Sequence, residues 1–196
     1  MPLTVPDFGG HLFLMTKTTW DGLPASTVPP FGTAVLVYRW VSPEPTQAEN
    51  AGASAAAVPR ATAEKGEAAK NETPVVLEIL LLHRARLGSD FAGDWAWTPP
   101  TGCRFPDESI KMCAARELYE ECGLKMPIDF AANFGDDEWH MYRAEAAAGA
   151  QVQLIDPEHD RFEWVDAAEA IRRCEPAAIK HPLAVTIAAL QSQKLA

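Results

Sequence analysis

From Gly32 to Tyr38 the chain reads Gly-Thr-Ala-Val-Leu-Val-Tyr, and from Val75 to Leu82 it reads Val-Val-Leu-Glu-Ile-Leu-Leu-Leu. A strand with one wet face alternates apolar and polar residues; these two runs barely alternate, so each must be covered on both faces. A sheet covered on both faces in a chain of this size is a layer between helices. The rest of the pattern agrees. His11–Met15, Glu138–Arg143 and Phe162–Val165 read as further strands. Asp166 is placed to cap a helix over Ala167–Arg173, which Pro176 ends, and a second helix runs from about His181 to Gln193 with Leu183, Ile187 and Leu190 on one face. The expectation is an α/β chain of one domain, with 196 residues sufficient for a single core. Residues 42–73 break the pattern: rich in Ala, Pro, Glu and Thr and without periodicity, they read as a flexible insertion in a hairpin connection.

Charge narrows the function. A net charge of −10 and a pI near 4.9 disfavour a long nucleic-acid groove, which needs a basic stripe. An acidic chain can still bind a polyphosphate when a metal ion brings the positive charge. No run of eighteen apolar residues exists, and Met1–Asp7 has neither the basic start nor the apolar core of a signal peptide. A cytoplasmic protein without membrane contact is expected. Cys103, Cys113, Cys122 and Cys174 form no CxxC pair, so they read as small core residues or ordinary thiols, in preference to zinc ligands or a disulfide framework.

The chemistry is concentrated in residues 102–124, GCRFPDESIKMCAARELYEECGL. At about 100° per residue, Glu117, Glu120 and Glu121 project toward one side of a helix. Like charges so close repel and weaken a bare helix, and a hard cation that takes oxygen ligands offsets the repulsion. A solvated, Glu-rich surface helix is the competing explanation. Around the acids, Ile110, Cys113, Ala114 and Leu118 recur at helical spacing and should face the core. Asp107 or Ser109 can cap the start, Glu108 suits the first turn, and Gly123 sits where a left-handed C′ residue belongs. Gly102 closes the turn-rich run Trp97-Thr98-Pro99-Pro100-Thr101, where a glycine permits positive φ and close approach of backbone to a ligand. Glu108 and Arg116 are too far apart for an i,i+4 pair, but a segment folding back before the helix would let Arg116 orient a carboxylate.

Gly102, Glu108, Arg116, Glu117, Glu120, Glu121 and Gly123, with Leu118 and Leu124 at the apolar positions, fill every place of G-x5-E-x7-R-E-U-x-E-E-x-G-U. This is the Nudix box, and the chain resembles the Nudix hydrolases, which cut nucleoside diphosphates linked to another group X. The resemblance implies an α/β/α sandwich with a mixed sheet. It implies Mg²⁺, with Mn²⁺ as an alternative, held by Glu117, Glu120, Glu121 and the Gly102 carbonyl. Arg116 takes a structural role by the same resemblance. The stretch Glu158–Trp164 looks like a downstream element of the family, in which an acid six positions before a Trp reaches the metal cluster; by that match Glu158 is a fifth ligand. Glu163, between Phe162 and Trp164, faces solvent or a structural partner, and Asp136-Asp137-Glu138 reads as a turn.

The reaction implied is attack of water on phosphorus in a pyrophosphate bond, with metal lowering the water's pKa and a glutamate of the Glu117, Glu120, Glu121 cluster taking the proton. The partner is a nucleotide-type small molecule; a homodimer is left open. Arg84 is a candidate to grip phosphate, and Trp97 and Trp139 to stack on a base. Many relatives have Pro-Gly-Gly before the box where this chain has Pro100-Thr101-Gly102, and Thr101 resists positive φ. Dinucleoside polyphosphate hydrolases also place a non-glycine there and carry a downstream tyrosine that Tyr142 matches, whereas the proline that marks ADP-ribose pyrophosphatases is missing. Two other readings stay in view. One is a non-catalytic nucleotide-sensing Nudix domain, which would typically have lost box glutamates; the other is an RNA-decapping enzyme, which the charge disfavours.

Overall fold

The computed structural model describes residues 18–42, 75–85 and 88–195. Their elements run β1 (Gly32–Val41), β2 (Val76–Arg84), β3 (Trp97–Thr98), β4 (Thr101–Cys103), α1 (Ile110–Cys122), β5 (Trp139–Glu145), β6 (His159–Asp166), α2 (Ala167–Arg173) and α3 (Ala177–Lys194). The strand expected at His11–Met15 and nearly all of the 42–73 segment lie outside the described residues. Val41 pairs with Val76, so β1 and β2 are antiparallel neighbours.

The six strands form one mixed sheet. β1 runs parallel to β5 along Gly32–Tyr38 and antiparallel to its other neighbours. β1 and β2 pair only over Tyr38–Val41 and Val76–Ile79, then part. The short strands fill the gap: β4 takes the vacated edge of β1 at Gly32–Ala34, and β3 takes that of β2 at Leu82–His83. This wedge brings Thr101 and Gly102 into the middle of the sheet.

Both long strands are buried on both faces, for the reason their composition suggests. Ala34, Leu36, Tyr38, Leu77, Ile79 and Leu81 point to one side and pack with Ile179, Leu183, Ile187 and Leu190 of α3. Val35, Val37, Leu80 and Leu82 point to the other and pack with Ala114, Leu118 and Cys122 of α1. The result is the α/β/α sandwich with a mixed sheet. Each fully buried Leu or Ile contributes roughly 1.5–3 kcal/mol by leaving water. α3 starts a turn before the expected His181, because Ile179 extends the same apolar stripe by i,i+4 to Leu183. Pro176 caps α3; α2 has already stopped at Arg173, since Glu175, preceding a proline, is kept out of the helical region.

Candidate active site

Helix α1 is positioned at both ends. The Ser109 hydroxyl accepts from the Met112 N–H (3.3 Å), and Gly123, at φ +70°, donates its N–H to the Tyr119 carbonyl (2.8 Å). Between these caps, Ala114, Leu118 and Cys122 face the sheet, and the same rotation carries Glu117 and Glu121 into a buried position against β4. The Thr101 N–H donates to Glu121 Oε2 at 2.8 Å. Gly102 lies so close to Glu117 that a Cβ there would overlap its carboxylate. Close approach is therefore what the glycine serves, and the approaching group is Glu117; Gly102 does not have positive φ. Thr101 is likewise in plain strand conformation, its hydroxyl donating to the Thr33 carbonyl (3.0 Å), so this position needs no positive φ.

Arg116 organises the approach to the helix. The loop before α1 does fold back, and the guanidinium holds Glu108 with two bonds, Nε–Oε1 at 2.8 Å and Nη2–Oε2 at 2.9 Å. It also donates to the Cys103 carbonyl (2.9 Å), to Glu117 Oε1 (2.7 Å) and to Glu120 Oε2 (3.2 Å), and lies over the Phe105 ring. Burial raises the Glu108 carboxyl, but the bonds from Arg116 and the Phe105 N–H outweigh it and leave its pKa below the usual value.

The deeper acids behave oppositely. Burial pushes the Glu117 pKa up to about 7, against the pull of Arg116. Glu121, 2% exposed, is held well above the ordinary carboxylate range by burial and then by Glu117 and Glu158, with Arg84 and the Thr101 N–H opposing. Its second oxygen, Oε1, has no hydrogen-bond partner among the described residues. Glu120 points outward, with its side chain 49% exposed.

Glu158 enters from the loop before β6. Asp156 ties that loop to the helix: its N–H donates to the Glu120 carbonyl (3.1 Å) and its side chain accepts from the Glu158 N–H (2.6 Å). The Glu158 carboxylate is buried against Arg84, with Nη1 to Oε1 at 2.5 Å. The next residue, His159, is buried too. Strand alternation would send it to the opposite side. A bulge intervenes: His83 pairs with Arg161 but Arg84 with His159, so one residue is skipped and the side chain is re-aimed. Burial, aided by Arg84 and His83, lowers the His159 pKa to about 3 and keeps the ring neutral.

One cavity of about 490 Å³ gathers Gly102, Glu117, Glu120, Glu121, Glu158, Arg84 and Trp139. Two of the sequence candidates lie elsewhere. Trp97 packs against His83, with Arg161 and Arg173 over its ring. Tyr142 is buried on the α1 side of the sheet against Phe130, its hydroxyl bonded to His140 Nδ1 at 2.8 Å. Glu163 pairs with Arg173 (2.6 Å), and Asp136 accepts from the Glu138 and Trp139 N–H groups in a turn. All four cysteines are free; burial and Glu117 raise the Cys103 thiol to about 12, so at the cavity wall it stays protonated. Sequence reasoning did not single out His159, Asp156, Phe105 or Trp20, of which the last three line the cavity. The histidine stands directly after Glu158, but nothing in the sequence announces the bulge that turns it inward.

A family model described as the NUDIX domain matches residues 54–186. The chain belongs to the Nudix family. No curated protein sequence matches it. Among solved structures, the fold resembles a C. elegans Ap4A hydrolase in a binary complex, at 21% identity over 82% of this chain and 98% of that one, with a TM-score of 0.53. It also resembles a NUDIX hydrolase from Listeria monocytogenes (17% identity, 84% and 96% coverage, TM-score 0.51) and the Nudix hydrolase RenU from M. smegmatis (13%, 89% and 93%, TM-score 0.51). At these identities the likeness is one of fold. The expectation of a Nudix family member with an α/β/α sandwich therefore holds. No helix among the described residues is long and apolar enough to cross a membrane.

Proposed function

We propose that this Nudix enzyme is a metal-dependent hydrolase of the P–O–P bond in nucleoside diphosphates carrying a further group, such as nucleoside triphosphates or dinucleoside polyphosphates. The observation that supports this most is the meeting of Glu117, Glu120, Glu121 and Glu158 with Gly102 in one cavity. The donor set fits a hard divalent cation: buried oxygens in excess of local positive charge, two of them on carboxyls whose ionisation burial suppresses, and one oxygen of Glu121 with no partner. Glu117, Glu121, Glu158 and the Gly102 carbonyl would hold Mg²⁺ or Mn²⁺, with Glu120 at the rim. When bound, the metal would neutralise phosphate oxygens and lower the pKa of the attacking water.

The chain's own residues supply the rest. Glu120 is the accessible carboxylate of the cluster and is positioned to take a proton from water at the cavity mouth. Arg116 orients Glu117 and Glu120 through one amino group. Arg84 holds Glu158 from the cavity wall and presents a guanidinium toward a phosphate-bearing ligand. Trp20, Phe105 and Trp139 give that cavity apolar faces for a base or other flat group. We further infer that the chain forms one domain and that the protein works in the cytoplasm on small molecules.

A panel of nucleoside triphosphates, dinucleoside polyphosphates, nucleotide sugars, ADP-ribose, NADH and CoA, assayed with Mg²⁺ and Mn²⁺, tests the proposal. Glu120→Gln and, separately, Glu121→Gln should lower kcat by about 10²–10⁴-fold with the fold intact. Full activity in both variants, or no cleavage of any substrate by the wild type, would defeat it.

A further inference from the structure

We propose that His159 supplies an imidazole nitrogen to a cation site shared with Glu121 and Glu158, giving this enzyme a preference for Mn²⁺ over Mg²⁺. The inference rests on the metal-dependent reading above and extends it to a residue outside the glutamate cluster. The three side chains come from separate places in the fold, the end of α1, the loop before β6 and the first residue of β6, yet one donor atom from each lies within 4.8 Å of the others. All three are buried.

His159 is the unusual member. Neither Nδ1 nor Nε2 has a hydrogen-bond partner among the described residues, although the side chain has no exposed surface. Leaving a buried polar group unsatisfied costs roughly 1–3 kcal/mol, so an imidazole in this state is expected to have a partner when the protein works. What it faces is Glu121 Oε1, also without a hydrogen-bond partner, 3.9 Å from Nε2. That gap is too long for a hydrogen bond. It is compatible with two ligands on opposite sides of a common ion, given donor-to-metal distances of about 2.0–2.1 Å for an ion the size of Mg²⁺. The large majority of buried side-chain polar atoms in native proteins have a partner, so two idle ring nitrogens beside an idle carboxylate oxygen call for one.

The charge balance allows it. Arg84 is paired with Glu158, so a single guanidinium faces two acids and an imidazole at the three-ligand site. The bulge at Asp160 has a function on this view, since without it His159 would point to the other side of β6. The chemical consequence is selectivity. Mg²⁺ favours an all-oxygen octahedron and gives up water reluctantly; first-row transition ions tolerate an imidazole better, and Mn²⁺ is the one among them that also suits carboxylate and carbonyl oxygens.

The test uses the full chain with MnCl₂ and MgCl₂. Pulsed EPR of the Mn²⁺-loaded wild type should show hyperfine coupling to nitrogen, and His159→Gln should lose it. In titration calorimetry the same variant should bind Mn²⁺ about tenfold or more weakly, given that losing even a residue that merely orients a ligand costs about 10–100-fold. Its Mg²⁺ affinity should move far less. The EPR measurement on wild type needs no variant, so a poorly folding substitution leaves the test intact. Mn²⁺ bound without nitrogen coupling, or an equal loss of both metals in His159→Gln, would overturn the role of His159 while the carboxylate metal site stands. If neither cation bound the wild type, the hydrolase reading would fall as well.

Discussion

Glu117→Gln removes one charge from the carboxylate cluster while almost preserving shape, and its effect on the metal-free chain should depend on pH. Glu117 is 8% exposed, and burial lifts its pKa from 4.5 to about 7. A carboxyl whose folded pKa lies above its unfolded one favours folding fully below the unfolded value, and that contribution disappears as pH rises through the folded value. The stability of wild type relative to the variant should thus fall between pH 4.5 and about 7 and level off above. A rise of this size corresponds to on the order of 3 kcal/mol. His159 titrates in the opposite sense, its lowered pKa removing stability as pH falls below 6.5, but both chains carry it and the difference cancels it. The glutamine retains an acceptor for Arg116, which also keeps its two bonds to Glu108. Urea unfolding followed by tryptophan fluorescence at a series of pH values, in EDTA, gives the required differences. For a chain of this length the change should appear as roughly 6–12 °C in Tm. Adding Mg²⁺ or Mn²⁺ at about a hundred times Kd should return about 2.7 kcal/mol to wild type and less to the variant. A stability difference that stays flat from pH 4.5 to about 8 would refute the burial argument.

Gly102→Ala should push the Glu117 carboxylate out of place, lowering kcat by about 10²-fold, the usual cost of an ångström of misplacement, with little change in Tm because the clash is with a side-chain end. Unchanged turnover would mean that Glu117 acts from another position. Arg116→Met strips Glu108 and Glu117 of their shared partner and should destabilise the chain by about 3–5 kcal/mol in denaturant titrations, a loss that Arg116→Lys recovers only in part because one ammonium cannot reproduce the forked contact. Gly123→Ala, at φ +70° with the Gln153 carbonyl 3.0 Å from the added Cβ, should cost about 1–2 kcal/mol without changing kcat at saturating metal.

Much of the fold is visible before any coordinates because the two long strands carry no polar face. Gly32–Tyr38 and Val75–Leu82 demand cover on both sides, and the helical stripes that provide it, Ala114 with Leu118 and Leu183 with Ile187 and Leu190, stand at regular spacing. The caps Ser109, Gly123 and Asp166 are local signals and fall where local rules place them. The substrate-side candidates were harder. Trp97, Trp139 and Tyr142 are all aromatic and near the box or the strand after it. Trp139 and Tyr142 pack on opposite faces of the sheet although both stand on β5, and Trp97 packs on His83, so of the three only Trp139 lines the cavity.

The sequence by itself determined the sandwich, the helix that carries Glu117, Glu120 and Glu121, and the Nudix family, because periodicity and motif spacing are short-range properties written in consecutive residues. Tertiary structure decided which carboxylates are buried and how acidic they are. Desolvation depends on what lies across the gap, here β4 with Gly102 and Thr101, inserted where two strands diverge. It also decided that Arg84 meets Glu158 and that His159 turns inward beside Glu121. Those contacts depend on a register shift between β2 and β6, and pairing between segments some eighty residues apart leaves no periodic trace in either one.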